Sequence, residues 1–241
     1  EAASIGIIGT ADGPTSIYVA SRFAKNLLGP ISVAAYSYMS LVPIIQPPVI
    51  KLLTTKKERM IRMDYHEKKI PKVVKILFPI IVTLISGLIA PVSLALIGFL
   101  MFGNLIRECG VLERLSSAAQ KELANLVTLL LGITIGSTMT ADKFLQVDTL
   151  LVLGMGLVAF VFDTAGGVLF AKFLNLFLKR KINPMVGAAG ISAFPMSARV
   201  VQKMGQQEDP SNFLLMHAAS ANFAGQIGSV IAGGLILALV K

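Results

Sequence analysis

Long apolar stretches, separated by short groups of small, polar or proline residues, make up most of this chain. Many of these stretches are too long for ordinary strands, which favours buried or membrane-spanning helices. The stretches cover residues 5–8, 16–28, 31–53, 76–89, 92–106, 126–140, 149–178, 184–201 and 213–240. The pattern predicts an all-α protein in which several helices are discontinuous.

Composition places this all-α protein in the membrane. Of its 241 residues, 54% are hydrophobic and only 15% are charged, and the mean hydropathy is +0.74. An ordinary soluble domain is far less apolar, so we expect an integral membrane protein that forms one transmembrane domain over residues 1–241. The single Cys109 excludes a disulfide framework within the chain, and the isolated His66 and His217 predict no zinc or iron site. The chain opens at Glu1 inside an apolar motif, which we interpret as a fragment lacking its N-terminal part.

One carboxylate lies between helix-breaking residues near the start of the chain. Residues 9–15 read Gly-Thr-Ala-Asp-Gly-Pro-Thr. An aspartate at the bilayer centre costs roughly 2.5–3.5 kcal/mol, so it normally faces a cavity or a bound cation. Gly13 and Pro14 interrupt the helix and free backbone carbonyls, which together with Asp12 suit a small hard cation. An ordinary cytosolic turn between two helices is the alternative that these residues leave open.

Three further segments share an apolar frame around a small or polar centre. Residues 31–53 contain Pro43, Pro47 and Pro48, and residues 184–201 and 213–240 are rich in glycine and small polar residues. Pairs of such interrupted segments point to the binding site of a transporter built from repeats, so we expect discontinuous helices here as well. Small residues also allow close helix packing, and no clear repeat is visible in the sequence.

Charges and apolar lengths predict how the chain crosses the membrane. A basic loop, residues 54–75, carries eight Lys or Arg against three acidic residues, and residues 179–181 read Lys-Arg-Lys. Both are expected in the cytoplasm by the positive-inside rule. Residues 76–89 and 92–106 are predicted to form a membrane hairpin turned at Ala90-Pro91, residues 112–125 an interfacial helix and residues 126–140 a re-entrant segment.

The remaining long apolar segment, residues 149–178, leaves two topologies open. It either turns back near Gly166-Gly167 or pairs with a full crossing by residues 126–140. Asp163 lies inside this segment, where we expect it to cap, pair or lie near an interface rather than bind a transported ion.

Several motifs, in order along the chain, resemble one family. They are residues 9–15, Ala-Tyr-Ser-Tyr-Met at 35–39, Pro-Ile-Ile-Gln-Pro-Pro at 43–48, Ala-Asp-Lys-Phe-Leu at 141–145, Asn183-Pro184 with Gly187, Ser192 and Arg199, and Asn-Phe-Leu-Leu-Met-His-Ala at 212–218. Together they resemble the beta subunit of sodium-pumping biotin-dependent decarboxylases. That family serves oxaloacetate, glutaconyl-CoA, methylmalonyl-CoA and malonate decarboxylases, and the chain resembles the C-terminal half to two-thirds of a member.

Two departures from the family pattern leave the branch open. Thr10 replaces the second glycine of the usual Gly-Gly-Ala-Asp-Gly, and Ser220-Ala221 replaces a Gly-Pro pair that is common in the oxaloacetate branch.

The resemblance implies a carboxybiotin decarboxylase of the bacterial cytoplasmic membrane that couples carbon dioxide release to sodium export and consumes a proton. It implies a broken-helix, inverted-repeat fold similar to that of citrate/sodium symporters, assembled as a homotrimer in the lipid bilayer. The implied partners are a carboxyltransferase subunit, a biotin carrier protein that presents carboxybiotin, and a small single-span membrane subunit. No nucleic-acid partner is expected. The implied sodium ligands are Asp12, Tyr38, Asn183, Gly187, Ser192 and Asn222, and the implied catalytic residues are Asp12, Tyr38 and Arg199.

The residue types suit this chemistry on their own terms. Asp12 would balance the charge of sodium, while hydroxyl, amide and carbonyl oxygens replace its water. Arg199 could bind the carboxylate of carboxybiotin with its planar fork, and a proton could reach the ureido nitrogen through Tyr38 or a carboxyl group. Two other functions remain open: a sodium-coupled secondary carboxylate symporter, and a non-catalytic membrane anchor of a decarboxylase complex.

Overall fold

The computed structural model describes residues 1–65, 69–140 and 146–240. The motif at 141–145 and the residues His66, Glu67 and Lys68 lie outside the described part of the chain. The described residues form helices and connecting turns and contain no β-strand, as the apolar pattern predicts.

The helices follow one another through short connections. In chain order they are α1 (Ala2–Gly6), α2 (Gly13–Phe23), α3 (Leu28–Leu53), α4 (Lys56–Arg59), α5 (Lys72–Ile89), α6 (Leu94–Cys109), α7 (Glu113–Ala118), α8 (Ala124–Thr138), α9 (Val147–Phe177), α10 (Met196–Glu208) and α11 (Leu215–Leu239). Short 3-10 helices cover Ile7–Thr10, Lys25–Leu27, Pro91–Ser93 and Pro184–Gly190, and Ala119–Leu123 is π-helical. The chain divides into two compact units, Glu1–His66 with Leu145–Ser229 and Glu67–Phe144 with Val230–Lys241.

In the first unit, α9 packs against α3 and against the two 3-10 helices Ile7–Thr10 and Pro184–Gly190. Glycines make these approaches possible. A Cβ on Gly167 would lie 2.2 Å from the carbonyl oxygen of Gly187, and a Cβ on Gly187 would lie 2.1 Å from that of Gly167. A Cβ on Gly9 would lie 2.8 Å from the backbone of Ala159. The two 3-10 helices are therefore fixed backbone to backbone against the long helix α9.

The second unit contains the predicted hairpin. Helices α5 and α6 pack against each other, and the turn at Ala90 is closed by the Ser93 hydroxyl, which donates to the Ala90 carbonyl at 2.7 Å. At the open end, Lys75 and Glu108 form an ion pair of 3.5 Å. Sequence reasoning placed both helices and their turn correctly.

Five described segments are long and apolar enough to cross a membrane, which supports an integral membrane protein. They are Lys25–Leu53, Lys72–Ile89, Pro91–Cys109, Val147–Phe177 and Leu215–Leu239.

Two segments predicted to be interrupted are continuous helices, and those predictions are wrong. Helix α3 runs through Pro43, Pro47 and Pro48, and α11 runs through its glycines. Each proline removes one backbone N–H donor, and a glycine removes none. The remaining backbone groups keep their hydrogen bonds within the helix, because lipid offers them no other hydrogen-bond partner.

Two connections bear on the predicted topology. Helix α9 passes through Gly166-Gly167 without a break, which excludes a return at that point. Of the two topologies left open, this favours the one in which residues 126–140 cross the membrane. Residues 113–138 form one continuous helical stretch, with a π-helical turn between the predicted interfacial and re-entrant parts. Whether this stretch enters the bilayer from one side or crosses it stays a prediction.

The basic loop begins with an ordered turn. Thr55 and Glu58 form a reciprocal capping box at the start of α4, and the Lys172 ammonium of α9 pairs with Glu58 at 3.1 Å. Burial raises the pKa of Glu58, but hydrogen bonds from Thr55 and Lys172 together outweigh it and leave this pKa below its usual value. The folded loop is therefore stabilised by the ionised carboxylate.

Two arginines join the basic loop to the end of α10. Arg59 pairs with Glu208 and Arg62 pairs with Asp209, each at 2.6 Å. The first pair is largely enclosed, whereas Arg62 is exposed and contributes little to stability. The cytoplasmic location of this loop stays a prediction from its charge.

Candidate functional site

Asp12 occupies a break in the helix, as the sequence predicts. Ala11 has φ of 52°, in the left-handed region, and Asp12 is extended with φ of −114°. Pro14 favours the first turn of α2, where its missing N–H costs nothing, and the Asp12 carboxylate accepts the N–H of Thr15 at 3.0 Å. A non-glycine residue in the left-handed region costs roughly 1–2 kcal/mol, so packing must hold Ala11 there. Ala11 is fully buried.

The second oxygen of Asp12 joins two other parts of the chain. Asp12 Oδ2 accepts a hydrogen bond from the Ser192 hydroxyl at 3.1 Å and another from the Ser229 hydroxyl. The backbone N–H of Ser192 also donates to the Thr10 carbonyl at 2.9 Å. One buried carboxylate, only 8% exposed, thus lies where the break before α2, the loop before α10 and helix α11 meet.

Several buried oxygens on the segments that meet at this carboxylate have no hydrogen-bond partner in the described part of the chain. They are the hydroxyls of Thr15 and Ser16 in the first turn of α2, and the amide oxygen of Asn222 in α11. The amide nitrogen of Asn222 donates to the Ile191 carbonyl, the residue before Ser192. Buried polar atoms are normally paired, so unpaired oxygens on segments that meet at a buried carboxylate favour a bound cation.

The charge of the site favours the same ligand. None of the ion pairs among the described residues involves Asp12. No group of three or more His, Cys, Asp or Glu in the described ranges could hold a transition metal. The donors are one carboxylate, hydroxyls and an amide, which are oxygen ligands of the kind that small hard cations take.

Of the predicted sodium ligands, the structure brings Ser192 to Asp12 and Asn222 to the neighbouring Ile191, but it places Tyr38 elsewhere. The Tyr38 hydroxyl donates to the Leu153 carbonyl of α9, and its ring stacks on Phe160 with centroids 6.4 Å apart. Tyr36 lies closer to the break, since a Cβ on Gly13 would lie 2.7 Å from its ring. No hydrogen bond in the described part of the chain joins Tyr38 to Asp12.

Asn183 is the N-cap of the Pro184–Gly190 helix and Gly187 lies within it, and the described contacts of both residues are away from the Asp12 carboxylate. Asn183 caps this helix by accepting the Met185 N–H at 3.1 Å, and its amide donates to the Arg59 and Ile61 carbonyls at 2.8 and 2.9 Å. Gly187 packs against α9. Both residues fix the segment that leads to Ser192.

Arg199 lies on α10, seven residues after Ser192, with its side chain exposed. No described hydrogen bond or ion pair engages its guanidinium group, which leaves the fork free for a ligand from solution. The neighbouring Ser197 is buried and donates to Gln46 at 2.8 Å.

Comparison with known proteins identifies the family of this chain. Residues 1–240 match the model of the family described as Na+-transporting oxaloacetate decarboxylase beta subunit. The chain belongs to this family. The resemblance inferred from the motifs is thereby confirmed.

Three curated relatives show how broadly the family extends. The chain is 55% identical over 239 residues to methylmalonyl-CoA decarboxylase subunit beta of Propionigenium modestum, covering 99% of this chain and 60% of that protein. It is 54% identical over 240 residues to oxaloacetate decarboxylase beta chain of Klebsiella pneumoniae, covering 100% of this chain and 55% of that protein. It is 54% identical over 240 residues to glutaconyl-CoA decarboxylase subunit beta of Acidaminococcus fermentans, covering 100% of this chain and 64% of that protein. The chain thus spans less than two thirds of these relatives.

Within this family member, sequence reasoning missed three polar residues that the fold uses. Ser229 contacts Asp12, Tyr36 lies over Gly13, and the fully buried Gln46 donates to the Ala188 carbonyl at 2.9 Å while accepting from Ser197. The available signal was the same for all three: a polar side chain inside an apolar helix normally faces protein rather than lipid.

Proposed function

We propose that the full-length protein decarboxylates carboxybiotin and couples carbon dioxide release to sodium export across the bacterial cytoplasmic membrane. The observation that carries the proposal is the Asp12 carboxylate, buried and bonded by hydroxyls from two distant segments. Family membership supports the sodium-transporting part of the proposal.

The proposed sodium site is centred on Asp12. Ser192, Ser229 and Asn222, together with the hydroxyls of the first turn of α2, supply neutral oxygens. The hydroxyls that donate to this carboxylate can rotate and present lone pairs to a cation. Asn183 and Gly187 are proposed to act by holding the segment that carries Ser192 in place.

Arg199 is proposed to bind the carboxylate of carboxybiotin. Its exposed guanidinium group can donate two parallel hydrogen bonds to that carboxylate. In the reaction the bond between the ureido nitrogen and the carboxyl carbon breaks, carbon dioxide leaves, and the electron pair stays on the ureido group, which takes up one proton. Asp12 and Tyr38 are proposed to deliver this proton, and coupling follows if sodium and the proton compete for the same oxygens.

The assembly is also part of the proposal. The relatives are named beta subunits or beta chains of decarboxylases. We propose a carboxyltransferase subunit, a biotin carrier protein and a small single-span membrane subunit as partners. A homotrimer with inverted repeats, similar to citrate/sodium symporters, is the proposed arrangement.

The test uses the purified full-length subunit in sealed vesicles, supplied with free carboxybiotin. Carbon dioxide release and sodium movement are measured together. We expect release that depends on sodium and sodium movement that depends on carboxybiotin. A symporter would release no carbon dioxide but would move a carboxylate with sodium, and a membrane anchor would do neither; either result would reject the proposal.

A further inference from the structure

The second unit contains a polar cavity of its own. Its volume is about 400 Å³, and its lining comes from the end of α6, from α7 and from the π-helical turn. The lining residues are Arg107, Gly110, Glu113, Ser116, Ser117, Gln120 and Lys121. This volume falls within the range of about 300–1,000 Å³ that small-molecule sites occupy.

Cations outnumber carboxylates around this cavity. Arg107 and Lys121 line it, and the Lys72 ammonium lies over Gly110, since a Cβ on this glycine would be 3.3 Å from Lys72 Nζ. Glu113 is the one carboxylate among the lining residues. Glu108 lies nearby but is engaged by Lys75 at 3.5 Å. The balance of charge favours an anion, and the Ser117 hydroxyl adds a neutral donor.

The surroundings point to a lipid rather than to a soluble anion. Val111 and Leu115, which flank the cavity in sequence, are 81% and 58% exposed. The face of α6 that carries Arg107 continues at helical spacing through Gly103, Leu100 and Leu96 into the apolar span, so it offers a path for acyl chains. Exposed apolar residues beside a polar cavity are typical of the membrane interface.

The end of the hairpin that carries this cavity is the end predicted to face the cytoplasm. Lys72 and Lys75 belong to the last part of the basic loop and begin α5, and their contacts place the end of α6 beside the start of α5. Anionic lipids are concentrated in cytoplasmic leaflets and are bound by basic pockets on that side of membrane proteins. We propose that this cavity binds the phosphodiester headgroup of an anionic phospholipid.

The test measures binding of short-chain phosphatidylglycerol to the full-length subunit by native mass spectrometry. Inorganic phosphate and phosphatidylcholine of the same chain length are the two comparison ligands. We expect retention of phosphatidylglycerol over phosphatidylcholine, with no competition from phosphate. Arg107→Ala with Lys121→Ala should weaken binding about tenfold or more, because each surface cation contributes to lipid attraction. Glu113→Gln removes a repulsive charge and should leave binding unchanged or stronger.

The matched control is Lys179→Ala with Arg180→Ala, which removes the same charge from exposed residues elsewhere. Equal loss in this control would show general surface attraction and overturn the proposal. Competition by inorganic phosphate would assign the cavity to a soluble anion instead. Ser117→Trp, which fills the cavity and keeps every charge, should also reduce binding; normal binding by this variant would place the lipid elsewhere.

Discussion

The neutralisation of Asp12 is the most direct test of the proposed sodium site. In Asp12→Asn the amide oxygen can still accept the Thr15 N–H and cap α2, since asparagine is an equally good capping residue. The amide nitrogen replaces the oxygen that accepts from Ser192 and Ser229, whose hydroxyls can rotate to accept instead. The fold should therefore survive.

The cation, by contrast, loses its balancing charge in a site that is only 8% exposed. Breaking a buried ion pair costs about 3–5 kcal/mol, which corresponds to roughly a hundred- to several thousand-fold in sodium affinity. In the full-length subunit, sodium should raise the melting temperature of the wild type and leave that of Asp12→Asn unchanged, because a ligand stabilises only the state that binds it.

Asp163→Asn is the matched control for this experiment. It neutralises a second aspartate within an apolar helix, but the Asp163 side chain is exposed on α9 rather than enclosed by hydroxyls. We expect this variant to keep the sodium response. A normal sodium shift in Asp12→Asn, or equal loss in both variants, would refute the assignment of the cation to Asp12.

Four further predictions follow from the described contacts. Tyr38→Phe should alter the dependence of turnover on sodium without unfolding the protein; an unchanged rate-versus-sodium curve would remove Tyr38 from the mechanism. Arg199→Lys keeps the charge but loses the bidentate fork, so it should weaken carboxybiotin use more than sodium affinity, and the reverse pattern would contradict the proposal. The pKa of the Glu58 carboxyl is lower in the folded than in the unfolded protein. The stabilisation by Glu58 is therefore present above the unfolded-state pKa and is lost as pH falls through the folded-state pKa. Glu58→Gln should remove this part of the pH dependence of the melting temperature. Glu58→Cys and Arg180→Cys, each in a Cys109→Ser background, should react with an impermeant thiol reagent in inverted vesicles only, and labelling in intact cells would overturn the predicted topology.

The features that sequence reasoning predicted well are those set by neighbouring residues. The break at Asp12 follows from Gly13 and Pro14, and the hairpin turn from Ala90-Pro91 with apolar runs on both sides. The family likewise follows from local motifs. Continuity of α3 and α11 could not be predicted this way, because the same proline and glycine signals either break a helix or are tolerated within it according to the surrounding protein.

The composition of the site depended on contacts between distant segments. Tyr36 and Tyr38 lie two positions apart on α3 and so point about 200° apart around the helix, and sequence alone does not show which one faces Gly13. Ser229 lies 217 residues from Asp12, and no local pattern distinguishes it from other small residues of α11. The pairing of Gly167 with Gly187 is likewise visible only once both backbones are placed.

Two asparagines in different segments hold the same pair of backbone carbonyls. The amides of Asn183 and Asn212 both donate to the carbonyls of Arg59 and Ile61, at 2.8 to 3.3 Å. Asn183 begins the segment that leads to Ser192, and Asn212 precedes α11, which carries Asn222 and Ser229. The basic loop therefore holds in place both segments that contribute to the proposed cation site. A protein that docks on this loop would restrain both segments at once. Cleavage of the loop would allow the two segments to move independently.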